Sequence, residues 1–166
     1  MKWFKDIKTL EDLKKCYHKL IFKFHPDRGG STASMQEINL EYEELFAKLK
    51  NFHADKDGNV YEKETNEEPE EFMELLEELM KLSGITIECI GSFVWVGGET
   101  KLHKDKLKEI GLKFSSKKSM WYFAPEWWVK RGKKQYSMDE IRGKYGVQYK
   151  ATTDKTMYLK HCMKHA

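Results

Sequence analysis

The most reactive pairing in this sequence is the imidazole of His25 and the carboxylate of Asp27, which flank Pro26. Such a pair can move protons in general acid–base catalysis, but catalysis needs a pocket that excludes water around both groups. Proline pushes the preceding residue toward an extended conformation, so His25 is expected to end a helix and to project from a bend. A protruding bend offers no enclosing pocket, and we therefore do not expect an enzyme.

A basic amphipathic helix is predicted immediately before this bend. Thr9 is a good N-cap, and Asp12 follows it at the spacing of a capping box. The apolar residues recur at helical spacing and are Leu13, Tyr17, Leu20, Ile21 and Phe24. The other faces carry Lys14, Lys15, His18, Lys19 and Lys23. Gly29 and Gly30 then allow the chain to reverse within a few residues.

A second amphipathic helix is predicted to begin near Ser31 or Thr32. Its apolar stripe consists of Met35, Ile38, Tyr42, Leu45, Phe46 and Leu49. Two stripes joined by a short glycine-containing connection predict an antiparallel helical hairpin. The upstream side chains of Trp3, Phe4 and Ile7 are expected to cover its open side.

Together these segments resemble the J domain, the module of DnaJ-type co-chaperones. That family has a basic helix with an embedded Tyr and Leu, then His-Pro-Asp, then a helix containing Ile-Asn-x-x-Tyr-x-x-Leu. The matching residues here are Lys14, Lys15, Tyr17, Lys19, Leu20, Lys23, His25, Pro26, Asp27, Ile38, Asn39, Tyr42 and Leu45. The resemblance covers about the first third of the chain.

The resemblance implies that the basic helix docks on a DnaK-type (heat-shock 70) chaperone and that the His-Pro-Asp bend triggers its ATP hydrolysis. Clustered cations also suit an acidic partner on physical grounds. The residues expected to bind the chaperone are His25, Pro26, Asp27, Lys14, Lys15, Tyr17, His18, Lys19, Lys23 and Arg28. The glycine/phenylalanine-rich linker and the zinc motifs of the best-known members are missing, which argues against a general role in binding unfolded clients. The client protein is unknown. The alternative is a solvated lysine face beside an ordinary turn.

Charge is distributed unevenly, although the net charge of the 166 residues is only +3. Residues 1–60 hold 11 basic and 10 acidic residues, residues 61–82 hold 2 and 9, and residues 83–166 hold 17 and 8. We predict a J-domain-like hairpin over 1–60, an acidic linker and amphipathic helix over 61–83, a small basic α+β unit over 84–150, and a helical or frayed tail over 151–166.

The acidic helix is predicted to begin at Pro69, with an apolar stripe of Phe72, Leu75, Leu76, Leu79 and Leu82. We expect it to pack through this stripe and to leave its glutamates in water. The alternative hypothesis is that these glutamates lie against the lysines of the J-like helix and tune access to them. Several ion pairs would have to act together, because one exposed pair contributes only about 0.2–1 kcal/mol.

From Ile85 the hydrophobic period changes from helical to alternating. The order strand, strand, helix, strand, strand is predicted up to Phe123, with turns at Gly91-Ser92 and Ser115–Ser119. The fold class of the whole chain is therefore α+β. A capping box at Ser137 predicts a further short helix. Residues 98–125 faintly resemble a small module in proteins of bacteria and their mobile elements.

Aromatic and basic residues are interleaved in the C-terminal part, a pattern typical of single-stranded nucleic-acid binding. The candidate residues are Lys117, Lys118, Trp127, Trp128, Lys130, Arg131, Lys133 and Lys134. A nucleic-acid-binding accessory protein is accordingly the alternative function. The competing expectation is that the aromatic side chains fill the core of a small sheet, which we favour for Trp121 and Phe123.

No cofactor, metal site or membrane attachment is expected. His161, Cys162 and His165 have metal-ligand chemistry, but a closed structural zinc site needs a fourth ligand. Three widely spaced cysteines suggest no disulfide framework, which fits a reducing cytoplasm. The sequence contains no apolar run long enough to span a bilayer.

Overall fold

The computed structural model describes residues 1–55, 57–126, 128–129, 135–145 and 149–153. The chain divides into two compact units, residues 1–72 and 73–166. In the described residues there are five α-helices and two antiparallel sheets, which confirms the predicted α+β class. The four-segment organisation inferred from composition stays a prediction.

Unit 1 begins with an irregular segment and continues with helices and a small hairpin. Its elements are α1 (Leu10–Phe24), a 3-10 turn (Pro26–Arg28), α2 (Thr32–Leu49), β1 (Phe52–Ala54), β2 (Val60–Glu62) and the start of α3 (Pro69–Met80), which continues into unit 2.

The predicted helical hairpin is present. Thr9 caps α1 by accepting a hydrogen bond from the Asp12 amide at 3.2 Å. The rings of Tyr17 and Tyr42 lie 4.4 Å apart between α1 and α2, and the Tyr17 hydroxyl donates to Asn39 Oδ1 at 3.1 Å. Both tyrosines are fully buried, and burying one such aromatic side chain contributes about 1.5–3 kcal/mol. The Tyr and Ile-Asn-x-x-Tyr residues of the resemblance thus hold the two helices together.

The N-terminal segment is fixed to α2 by a carboxylate. Glu41 accepts hydrogen bonds from the backbone amides of Lys2 at 2.8 Å, Trp3 at 2.9 Å and Phe4 at 3.4 Å. Burial raises the pKa of Glu41, but the three amide hydrogen bonds together lower it by more. The net pKa therefore lies below the ordinary value of 4.5. The segment covers the hairpin as expected, since Phe4 is buried 6.3 Å from the Tyr42 ring.

A two-stranded hairpin stands where the sequence predicted only a connector. Strands β1 and β2 pair antiparallel, and the turn between them contains Gly58 with a φ of 83°. The buried side chain of His53 on β1 lies 2.9 Å from the Glu11 carboxylate of α1, which also accepts the Ala54 amide at 3.1 Å. Three-residue strands are too short to display an alternating pattern, and they are therefore not recognisable in the sequence.

After α3, unit 2 contains β3 (Ile85–Ile90), β4 (Phe93–Gly98), a 3-10 turn (Thr100–His103), α4 (Lys104–Glu109), β5 (Lys113–Ser115), β6 (Met120–Phe123), α5 (Met138–Tyr145) and β7 (Tyr149–Thr152). The five strands form one antiparallel sheet in the order β5-β6-β4-β3-β7. The predicted order strand, strand, helix, strand, strand matches β3 to β6. Ser137 and Glu140 form the predicted capping box of α5 through bonds of 2.7 and 3.2 Å.

The predicted helical or frayed tail is wrong at its beginning, because Ala151 and Thr152 belong to β7 beside β3. The Thr153 amide also donates to the Ile85 carbonyl at 2.9 Å, and the Ile85 amide donates to Thr153 Oγ1 at 3.0 Å. Pairing with a distant strand therefore overrides the weak local pattern. The rest of the predicted tail lies outside the described residues.

Both surfaces of the central strands are largely buried. On β3, Ile85, Ile87 and Cys89 are buried on one face and Glu88 and Ile90 on the other. The Glu88 carboxylate receives two hydrogen bonds from Arg142, each 2.9 Å long, and is therefore neutralised in place. Within the described ranges, none of the helices has the length and apolar composition that crossing a lipid bilayer requires.

Candidate functional site

The His-Pro-Asp bend follows directly from the end of α1. His25 has φ −62° and ψ 135°, the extended conformation expected before a proline, while its amide still donates to the Ile21 carbonyl at 3.0 Å. Pro26 opens the 3-10 turn, and the amides of Arg28 and Gly30 both donate to the His25 carbonyl at 3.0 Å. The bend is thus fixed by its own backbone.

The two chemically active side chains of the bend have different exposures. The Asp27 side chain is 78% exposed and the His25 side chain is 19% exposed. His25 Nδ1 accepts the Asp27 amide at 3.2 Å, so the neutral ring carries its hydrogen on Nε2. The bend therefore offers a partner one exposed carboxylate and an imidazole whose orientation is fixed.

The two glycines after the bend are needed for different reasons. Gly29 has a φ of 87°, a left-handed conformation that glycine adopts without strain. At Gly30 an added Cβ would lie only 1.9 Å from the carbonyl oxygen of Phe24, which is closer than atoms can approach. Any side chain at Gly30 would therefore force the bend away from the end of α1.

A stripe of lysines leads along α1 to the bend. Lys19 and Lys23 are exposed and Lys15 is half-buried. Residues four apart lie on one face of an α-helix, so the Cα atoms of these three lysines form a row about 12 Å long at 1.5 Å rise per residue. We call Lys15, Lys19 and Lys23 the lysine stripe. At the end of α1, the half-buried Arg28 places its guanidinium 5.1 Å from the centre of the Phe22 ring.

Three residues expected to bind a chaperone are instead buried. Lys14, Tyr17 and His18 are 8%, 0% and 0% exposed, so the expectation that they form a docking surface is wrong. Tyr17 is occupied in the hairpin core, as described above. Burial lowers the pKa of His18 to about 3, so this side chain is neutral at pH 7 and contributes no positive charge.

Lys14 is held by the chain segment that precedes α3. Its ammonium group pairs with the Glu67 carboxylate, and the two side chains are only 10% and 9% exposed. The same ammonium lies 5.4 Å from the centre of the Phe72 ring. Glu67 precedes the predicted acidic helix, so this pair is not the predicted contact between the glutamates of that helix and the lysines of α1. Glu67 and Lys14 are 53 residues apart, so the pairing cannot be recognised from the local sequence around either residue.

The residues proposed for nucleic-acid binding are described only in part. Lys117 is exposed, Lys118 is half-buried, and Trp128 is 38% exposed. The remaining members of that set lie outside the described residues, namely Trp127, Lys130, Arg131, Lys133 and Lys134. Of the two aromatics expected in the core, Trp121 is buried and Phe123 is half-buried.

Metal-ligating side chains do not cluster in the part of the chain that the structure describes: it contains no group of three or more His, Cys, Asp or Glu positioned to hold an ion. His161, Cys162 and His165 lie outside that part. Comparison of the chain with protein-family models, with curated proteins and with solved structures gives no match in any of the three.

Proposed function

We propose that unit 1 is a J-domain-like module that docks on a DnaK-type chaperone and stimulates its ATP hydrolysis. The observation that carries this proposal is the exposed Asp27 carboxylate, held on a backbone-fixed His-Pro-Asp bend at the end of the lysine stripe. The chaperone-contacting set is narrower than the sequence suggested. It consists of His25, Pro26, Asp27, Arg28 and the lysine stripe.

The physical roles of these groups are distinct. Three aligned ammonium groups attract an acidic surface and speed the encounter, an effect that weakens as salt is added. The bend loses little conformational entropy on binding, because its backbone hydrogen bonds already fix it. Asp27 then offers a carboxylate that a cationic or amide group of the chaperone can recognise.

Unit 2 is proposed to select the client or the place where the chaperone acts, in the cytoplasm. A second compact unit is available for this role, and its sequence is more basic than that of unit 1. The identity of the client does not follow from the residues described.

Single-turnover ATP hydrolysis by a DnaK-type chaperone tests the proposal. The intact chain is expected to accelerate hydrolysis, and His25→Gln is expected to abolish the acceleration while the fold is retained. Glu44→Gln is the matched control, since Glu44 is an exposed acid on α2 away from the bend. A chain that binds the chaperone without accelerating hydrolysis, or a His25→Gln variant as active as the control, would reject the stimulatory role.

The lysine stripe is tested separately, by the rate at which the chain associates with the chaperone. Lys19→Ala with Lys23→Ala is expected to slow association with the chaperone more at low salt than at high salt, because exposed charges act mainly on encounter. Lys48→Ala with Lys50→Ala removes two positive charges near the end of α2 and serves as control. Equal effects of the two double variants would show that the stripe has no specific part in docking.

A further inference from the structure

We infer that one face of the unit 2 sheet, together with the adjoining cleft, binds single-stranded nucleic acid. The inference is independent of the chaperone proposal, because it concerns other residues in the other unit. The candidates chosen from the sequence follow one another along the chain, whereas this surface combines residues from several strands and turns. We call this surface the aromatic face, and its described members are Phe93, Trp95, Lys113, Lys118, Tyr122 and Trp128.

The register of the strands places four of these side chains, namely Phe93, Trp95, Lys113 and Tyr122, on the same side of the sheet. Trp95 is paired directly with Tyr122, and Tyr122 is paired directly with Lys113. Directly opposite residues in an antiparallel sheet project from the same face, as do residues two apart on one strand. Phe93 therefore shares the face with Trp95.

The aromatic rings form one continuous cluster. Ring centres are 6.0 Å apart for Phe93 and Trp95, 5.3 Å apart for Trp95 and Tyr122, and 5.1 Å apart for Phe93 and Trp128. Trp95 is buried at 6% exposure and lies beneath the cluster, Phe93 and Tyr122 are half-buried, and Trp128 is 38% exposed. A rigid base of packed rings with an exposed indole at its margin is suited to stacking by a nucleic-acid base.

Cations adjoin the rings at a cleft. Lys118 Nζ lies 5.6 Å from the centre of the Trp95 ring, and Lys118 also lines a cavity of about 350 Å³. The cavity lies between the β5–β6 turn and the start of α5, and its lining is Lys117, Lys118, Gln135, Tyr136, Ser137 and Met138. Lys144 extends the positive charge, with its Nζ 3.3 Å from the Tyr136 hydroxyl.

Charge complementarity selects the ligand class. The buried acid on this face, Glu88, is neutralised by Arg142, so it does not oppose an incoming phosphate. Lysines beside aromatic rings match the alternation of phosphates and bases along a single strand. An acidic peptide offers the negative charges but lacks bases to stack, so we favour the nucleic acid and treat the peptide as a competing outcome.

The test measures binding of the full-length chain to a fluorescein-labelled oligodeoxythymidylate of about 20 nucleotides by fluorescence anisotropy, at salt from about 50 to 200 mM. Lys117→Ala with Lys118→Ala is expected to lower the slope of log affinity against log salt by about 1.4, or about 0.7 for each lost phosphate contact. Trp128→Ala is expected to weaken binding roughly five-fold or more through lost stacking.

Lys104→Ala with Lys108→Ala is the matched control, because it removes two exposed lysines of α4 that do not belong to the aromatic face. An intact chain that does not bind at low salt would overturn the inference. An equal loss in the control and in the Lys117/Lys118 variant would also overturn it. Binding of a polyglutamate peptide as tight as binding of the oligonucleotide would reassign the face to an acidic protein partner.

Discussion

Lys14 lies on α1, and replacing Glu67 by Leu leaves its ammonium group buried without its paired charge. Both side chains of this pair are about one-tenth exposed, at 10% and 9%, so solvent screens their interaction little. Removing one partner of a buried ion pair costs about 3–5 kcal/mol, whereas removing both charges is often close to neutral. We therefore expect Glu67→Leu and Lys14→Met each to destabilise unit 1, and the double variant to recover most of the loss.

The expected loss is large relative to the stability of the unit. A domain of 72 residues has a free energy of unfolding of about 4–11 kcal/mol. A loss of about 3 kcal/mol would lower the melting temperature by about 12–24 °C at this size. Urea denaturation and thermal melts of the intact chain, the two single variants and the double variant complete the thermodynamic cycle.

The same set of variants distinguishes a lysine that stabilises the fold from a lysine that binds the chaperone. The double variant Lys14→Met with Glu67→Leu is expected to retain chaperone stimulation, because Lys14 presents almost no surface to a partner. Lys19→Ala is expected to weaken docking while changing stability by less than about 0.5 kcal/mol. A double variant as unstable as either single variant, or a stable double variant without stimulation, would refute the assignment of Lys14 to the fold.

Glu41→Gln is expected to destabilise unit 1 by about 1–2 kcal/mol at pH 7, since three N-terminal amides lose a charged acceptor. Because the folded pKa of Glu41 lies below 4.5, this difference should disappear in denaturation curves as the pH falls through the folded pKa, and a constant difference would contradict it. For His18, with a folded pKa of about 3 against 6.5 unfolded, protonation favours unfolding between these values. The free energy of unfolding should therefore fall by about 1.4 kcal/mol per pH unit between pH 6.5 and about 3. His18→Leu should flatten that slope in urea titrations, and an unchanged slope in this variant would contradict the explanation. Arg142→Ala is expected to cost about 1.5–3 kcal/mol in chemical denaturation, because the buried Glu88 carboxylate would lose both hydrogen bonds from the guanidinium group. Asp139→Ala, at a side chain 93% exposed, should have little effect, and similar losses for both would refute this account.

The helices and the bend were predictable because their causes are local. The stripe from Leu13 to Phe24 recurs at helical spacing, and Pro26 alone restricts the conformation of His25. Strand β1 was missed because three residues carry too little pattern. Strand β7 was missed because its pairing with β3 depends on contacts that are distant in sequence.

The position of the bend was predictable, but the exposure of the candidate residues around it was not. Lys14 and His18 look like surface residues in a basic helix, and the sequence alone gives no reason to separate them from Lys15 and Lys19. Tertiary packing buries Lys14 and His18 and leaves Lys15 and Lys19 accessible. Glu67, which neutralises Lys14, arrives 53 residues later in the chain. Burial of a charged side chain by a remote partner leaves no local signature.

The most direct test of the docking proposal is the rate of single-turnover ATP hydrolysis by a DnaK-type chaperone with the intact chain and with Asp27→Asn. This substitution keeps the size of the side chain and the backbone amide hydrogen bond to His25, and it replaces an exposed carboxylate, which lies 3.7 Å from His25 Nδ1, by an uncharged amide. The proposal predicts that the intact chain accelerates hydrolysis and that Asp27→Asn, although equally stable, does not. Equal acceleration by the two chains would contradict it.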